Sequence, residues 1–271
     1  MLNYIDRIQI VTAEAGATAR MWEQILEARI DREDRVPALG ARRTVLRAGS
    51  GEVEFLQPDG KGAIADFMTE SGRGGLYAVG FAASEIPALR DGLRSRGVQV
   101  REDRDQLFVD TSVVPGGGLR LVISPPAPRT RAGVMTRFHE VSFLTADPAS
   151  TAQSLAGTFG LDAAHFAPTE SPAFGFAGVH VYLTAGQHDD IETIKAVDAD
   201  KAMGRFFARR GPSLYMAFGE SDDMERVRTL AIKHAPDDWT GPREGPAQGA
   251  AIFVHPRALG GVMLGIRAST V

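Results

Sequence analysis

A pattern that runs through this chain twice limits its possible folds more than any other feature, because self-similarity marks a structure assembled from repeated modules. Residues 4–12, YIDRIQIVT, alternate as a strand does, and over 14–28 Met21, Trp22, Ile25 and Leu26 share one helical face. The order restarts at 138–146, FHEVSFLTA. There Asp147 predicts an N-cap with Pro148 at the first helical position, Ala152, Leu155 and Phe159 form the apolar stripe, and Gly160 ends the helix.

Later in each half a strand leads into a second helix. In GGLYAVGFAASEIPALRDGLRSRG the residues Ile86, Leu89 and Leu93 face one way and Gly97 stops the helix; in PSLYMAFGESDDMERVRTLAIK the equivalents are Met224, Val227 and Leu230. Gly-rich turns and final strands follow at 115–126 and 258–268. The expectation is an α+β chain of four β-α-β-β-β units, paired into cupped mixed sheets with helices outside. Its domains are residues 1–127 and 134–271, joined by a linker at 128–133 inside the Pro- and Arg-rich PPAPRTRAG. An ordinary α+β pair without a cavity is the alternative.

Composition narrows the partners. A net charge of −4 with no basic stripe argues against nucleic acid, and no apolar run reaches the roughly 20 residues that span a bilayer. Without a basic n-region at the N-terminus, a cytoplasmic location is expected. The absence of cysteine excludes disulfides, thiolate nucleophiles and Cys-ligated metals. No phosphate loop or nucleotide fingerprint is present.

The stretch IETIKAVDADKAMGRFFARRGPSLYMAFGESDD (191–223) and the closing FVHPRALGGVMLG (253–265) resemble the glyoxalase and epimerase branch of the vicinal oxygen chelate superfamily, which also contains bleomycin-resistance proteins. VEFLQPDG (53–60) and GGLYAVGF (74–81) resemble it more loosely. In the enzymes of that superfamily, side chains in each cup hold a divalent metal that chelates two neighbouring substrate oxygens as a Lewis acid. The resemblance puts the ligand positions of the first half on Arg7, Glu54, Ala78 and Val122, and those of the second on Glu140, Glu192, Met216 (or Tyr215, if the strand slips by one) and Gly265. All six histidines lie in the second half, so the first has no imidazole of its own to offer a metal.

The expected cofactor is therefore none, with a divalent metal on Glu140 and Glu192 as the alternative. Arg7 could pair with Glu54 or grip an anionic ligand. Two carboxylates in an apolar cup raise at least one pKa, which makes Glu140 and Glu192 candidates for proton transfer beside a carbonyl, with Tyr215 or His180 donating to the oxyanion. His139, Phe143, Tyr182, Met216 and His255 complete the candidate ligand-binding set, although His255 in its His-Pro turn also reads as a turn-former. The resemblance implies a lyase or isomerase acting on a small, partly apolar carbonyl compound, or else a metal-free protein that sequesters a hydrophobic metabolite or antibiotic. A ring-cleaving dioxygenase needs two histidines and a glutamate around iron, which the sequence does not place. Four units in one chain let a monomer suffice and leave a homodimer open.

Overall fold

The computed structural model describes residues 2–109, 113–247 and 249–269. The first half runs β1 (Leu2–Val11), α1 (Ala15–Leu26), β2 (Arg29–Val36), β3 (Ala41–Ala48), β4 (Gly51–Pro58), α2 (Ala63–Ser71), β5 (Gly75–Ala83), α3 (Ile86–Ser95), β6 (Val100–Asp103), β7 (Gln106–Val109) and β8 (Leu121–Ser124). The second runs β9 (Arg137–Leu144), α4 (Pro148–Phe159), β10 (Ala167–Ser171), β11 (Phe176–Tyr182), β12 (Asp190–Ala196), α5 (Ala202–Arg210), β13 (Ser213–Ser221), α6 (Met224–His234), β14 (Trp239–Thr240), β15 (Ile252–Val254) and β16 (Met263–Ala268). Each half forms one eight-stranded sheet, in the orders β2-β3-β4-β1-β5-β8-β7-β6 and β10-β11-β12-β9-β13-β16-β15-β14. Both are mixed: β1 runs parallel to β4 and β9 to β12, while β3–β4 and β11–β12 are antiparallel. The α+β class and the pairing of units within each half match the expectation.

Compactness divides the chain differently. One unit comprises Met1–Ile5, Ala78–Pro126 and Glu140–Tyr215, the other Asp6–Tyr77, Ala127–His139 and Met216–Val271. Each unit thus draws material from both halves of the chain.

Local chemistry sets the helices. Asp147 caps α4 by accepting from Ser150 N, and Gly160 closes it in the left-handed region with its N–H on Ala156 O. The duplication persists in side-chain detail. The Thr12 and Thr18 hydroxyls lie 3.2 Å apart and those of Thr145 and Thr151 3.1 Å apart; Thr18 donates to Glu14 O as Thr151 does to Asp147 O. Helix α1 packs on β2, β3 and β4, and α4 on β11 and β12. Because strand side chains alternate, the helices cover one face of these strands and leave the other for chemistry. Trp22 of α1 meets Phe55 edge-on at 6.1 Å, and Thr193 Oγ1 donates to Pro148 O of α4, which identifies the covered face in each half.

Candidate functional site

On the uncovered face of the second half, ladder registry assembles a polar cluster. β12 aligns Asp190 with Glu140 and Glu192 with Ser142 of β9, while β11 aligns Tyr182 with Asp190 and His180 with Glu192. Period-two alternation therefore brings Glu140, Ser142, His180, Tyr182, Asp190 and Glu192 to one side. Glu140, Asp190 and Glu192 are almost fully buried. Glu192 accepts from Ser142 Oγ at 2.7 Å and Thr169 Oγ1 at 3.1 Å, so two hydroxyls fix its orientation. His180 Nδ1 lies 3.2 Å from Asp190 Oδ1, and its ring stacks on Tyr182 with centroids 5.6 Å apart. Burial opposes the charged imidazole, but the Asp190 hydrogen bond and the charges of Asp190, Glu192 and Glu140 overcome it and raise the His180 pKa.

Glu140, His180 and Asp190 each offer a ligand atom, and these atoms all lie within 4.8 Å of one another. One imidazole and two carboxylates form a donor set suited to a divalent transition ion. Farther along the same face the lining becomes apolar. Leu144, Ile194 and Met203 form a buried cluster that receives Phe176, Phe206 and Tyr215, and Tyr215 meets Phe206 edge-on at 5.1 Å. Burial raises the Tyr215 hydroxyl pKa, against the opposing charge of Arg205.

The first half carries the same ladder with different chemistry. Arg7 aligns with Glu52 and Gln9 with Glu54. Arg7 Nη1 donates to Glu54 Oε1 at 2.8 Å and stands 3.4 Å from Glu52, while its Nη2 meets Asp6 at 2.8 Å. Glu54 also takes Gln9 Nε2 at 2.7 Å and Arg43 Nη1 at 3.3 Å. Arg129 reaches Asp6 at 3.1 Å and Glu52 at 3.2 Å. Burial alone would raise the Glu54 pKa; the charges of Arg7 and Arg43, with hydrogen bonds from Gln9 and Arg7, instead hold it at about 2. A metal does not fit this face, because a guanidinium already lies against its carboxylates.

Several candidate residues stand elsewhere. Phe143, expected to face the ligand, aligns with Thr193 on the helix-covered face and is fully buried core. In the first half Phe55, edge-on to Trp22 of α1, is likewise buried core on the helix-covered face. His139 follows the same alternation away from Glu140; its buried ring lies 6.3 Å from Phe218, with Nδ1 3.9 Å from Glu220 Oε1. Of the two readings of β13, Tyr215 joins the apolar cluster on the Glu192 side, whereas Met216 alternates away from it and aligns with Met263. His255 sits in its turn, with Nε2 2.7 Å from Thr240 Oγ1. At Gly265 an added Cβ would come within 2.3 Å of the Phe218 ring, so an aromatic residue fills the place of the last carboxylate. Asp190, Ser142 and Thr169 are the residues that sequence reasoning missed. The first two stand two positions from Glu192 and Glu140 on their strands, where alternation alone would have found them.

No family model matches the sequence. The ethylmalonyl-CoA/methylmalonyl-CoA epimerase of Cereibacter sphaeroides is 25% identical over 101 residues, 37% of this chain and 75% of that protein. Among solved structures, a mutant 4-hydroxymandelate synthase from Streptomyces coelicolor superposes on all of this chain and 94% of its own, with a TM-score of 0.71 at 16% identity. Methylmalonyl-CoA epimerase from Mycobacterium tuberculosis matches 51% of this chain and 91% of its own, with a TM-score of 0.42 at 16% identity. The two eight-stranded mixed sheets and their modular repeats share the fold of that 4-hydroxymandelate synthase, in keeping with the sequence resemblance to the vicinal oxygen chelate superfamily. No helix among the described residues is long and apolar enough to cross a membrane.

Proposed function

We propose that the protein is an isomerase or lyase that moves a proton beside the carbonyl of a small, partly apolar organic molecule, using the carboxylates of residues 134–271. The observation that carries this reading is the convergence of Glu140, His180, Asp190 and Glu192 on one face, next to an apolar cluster. Glu192, oriented by Ser142 and Thr169, is placed to accept a substrate proton. His180 has Nδ1 engaged by Asp190, which leaves Nε2 to donate toward a developing oxyanion. Where a divalent ion takes over that oxyanion role instead, Glu140, Asp190 and a neutral His180 are the residues that would hold it, and it would polarise the substrate carbonyl as a Lewis acid. The aromatic side chains at the far end, Phe176, Phe206 and Tyr215, suit an apolar substituent.

A second reading, sequestration without turnover, draws support from Gly265, where the resemblance expects a ligand and Phe218 stands instead. Likeness to an epimerase of acyl-CoA esters makes thioesters the first compounds to test. Proton exchange at their α-carbon in D2O, followed by NMR, separates the readings. Exchange that falls by about 10²–10⁴-fold in Glu192→Gln while binding persists supports the enzyme. Tight binding without exchange in the unaltered protein supports sequestration.

A further inference from the structure

We infer that the Arg7 guanidinium is a built-in cation that closes the carboxylate face of the first half to external cations. The geometry around Arg7 carries the inference; its consequence, that the chain takes up metal only through its second half, rests on the proposed role of Glu140, His180 and Asp190. Position for position the two ladders correspond. Arg7 and Gln9 stand where the second half has Glu140 and Ser142, and Glu52 and Glu54 stand where it has Asp190 and Glu192.

In the first half three carboxylates converge on one buried positive centre, with Glu54 and Asp6 each 2.8 Å from the guanidinium and Glu52 3.4 Å away. That is the arrangement of a cation site whose cation is tethered to the chain. Arg43 at 3.3 Å from Glu54, with Arg129 at 3.2 Å from Glu52 and 3.1 Å from Asp6, adds further positive charge around the same carboxylates. An entering ion would meet repulsion from the fork and find the oxygens already accepting hydrogen bonds. Arginine stays protonated across the accessible pH range, so pH does not open the site. In the second half Glu140 stands at the position of this arginine, with a ligand atom close to those of His180 and Asp190.

Manganese titration followed by electron paramagnetic resonance tests this on the full chain. The unaltered protein is expected to bind Mn²⁺ at a single site that His180→Ala abolishes. Arg7→Ala is expected to gain a second site and to melt at a higher temperature as Mn²⁺ is added, whereas Arg7→Lys, which keeps the charge, stays at a single site. Two sites in the unaltered protein, or a folded Arg7→Ala that gains none, would overturn the inference. So would an Arg7→Ala chain that stays unfolded at saturating Mn²⁺, because an external ion would then have failed to replace the tethered one. If the unaltered protein binds no Mn²⁺ while Arg7→Ala binds one, the inference about Arg7 stands and the metal reading of the second half fails.

Discussion

Two ladders built on the same register have opposite electrostatics. In the first half Arg7 and Arg43 compensate Glu54 so fully that the carboxylate is held at about 2 inside a sealed site. In the second, the position of Arg7 is taken by Glu140, and the acids share their face with one half-buried histidine. The contrast teaches how a duplicated scaffold divides labour. One copy spends its polar positions on internal ion pairing, which adds rigidity and leaves nothing to react. The other gathers Glu140, Asp190 and Glu192 on one face with His180, the setting in which proton-transfer groups are found.

The largest test of this contrast is Arg7→Ala in metal-free buffer. Removing one partner of a buried pair strands the other, so urea denaturation should show a loss of about 3–5 kcal/mol. A loss as small as that of a surface ion pair would break the comparison. Next comes acid. Glu54 has a folded pKa of about 2, below its ordinary 4.5. Its contribution is therefore complete above pH 4.5 and declines as pH falls toward 2. That contribution is about 3 kcal/mol by linkage, and Glu54→Gln should flatten this part of the pH–stability curve.

A smaller effect separates the two first helices. Asp147 caps α4 through its side chain, whereas Glu14 makes no such bond at α1. Thermal melting should show a loss of about 1 kcal/mol for Asp147→Ala and no comparable loss for Glu14→Ala. Smallest, and opposite in sign to Arg7→Ala, is Glu140→Gln. Relieving like-charge crowding beside Asp190 should leave stability unchanged or raise it by a few tenths of a kcal/mol, while proton exchange activity falls. A destabilisation as large as that of Arg7→Ala would show that the second face is as internally paired as the first.

Much of the fold was legible because it is local and repeated. The Asp147-Pro148 start and Gly160 stop of α4, and the buried Met224, Val227 and Leu230 of α6, follow from period and capping chemistry that a single segment contains. The Arg7–Glu54 pair could also be anticipated from an inward-facing arginine and glutamate. Less legible were the facing of Phe143 and His139 and the place of Asp190. Each depends on which residue of a neighbouring strand lies opposite, and a shift of one exchanges the two faces of a sheet. α3 illustrates the same limit: of the three residues on its predicted stripe, Leu93 is buried while Ile86 and Leu89 remain partly exposed.

By itself the sequence determined the duplicated module, the helices with their caps, and the concentration of histidine in the second half, since these follow from short-range periodicity and composition. Only the tertiary structure decided which carboxylates share a face, that Phe218 fills the space beside Gly265, and that Arg7 sits among Asp6, Glu52 and Glu54. The reason is that electrostatic partnership acts through space over a few ångströms, and strands far apart in the chain reach that distance only when the sheet register is set.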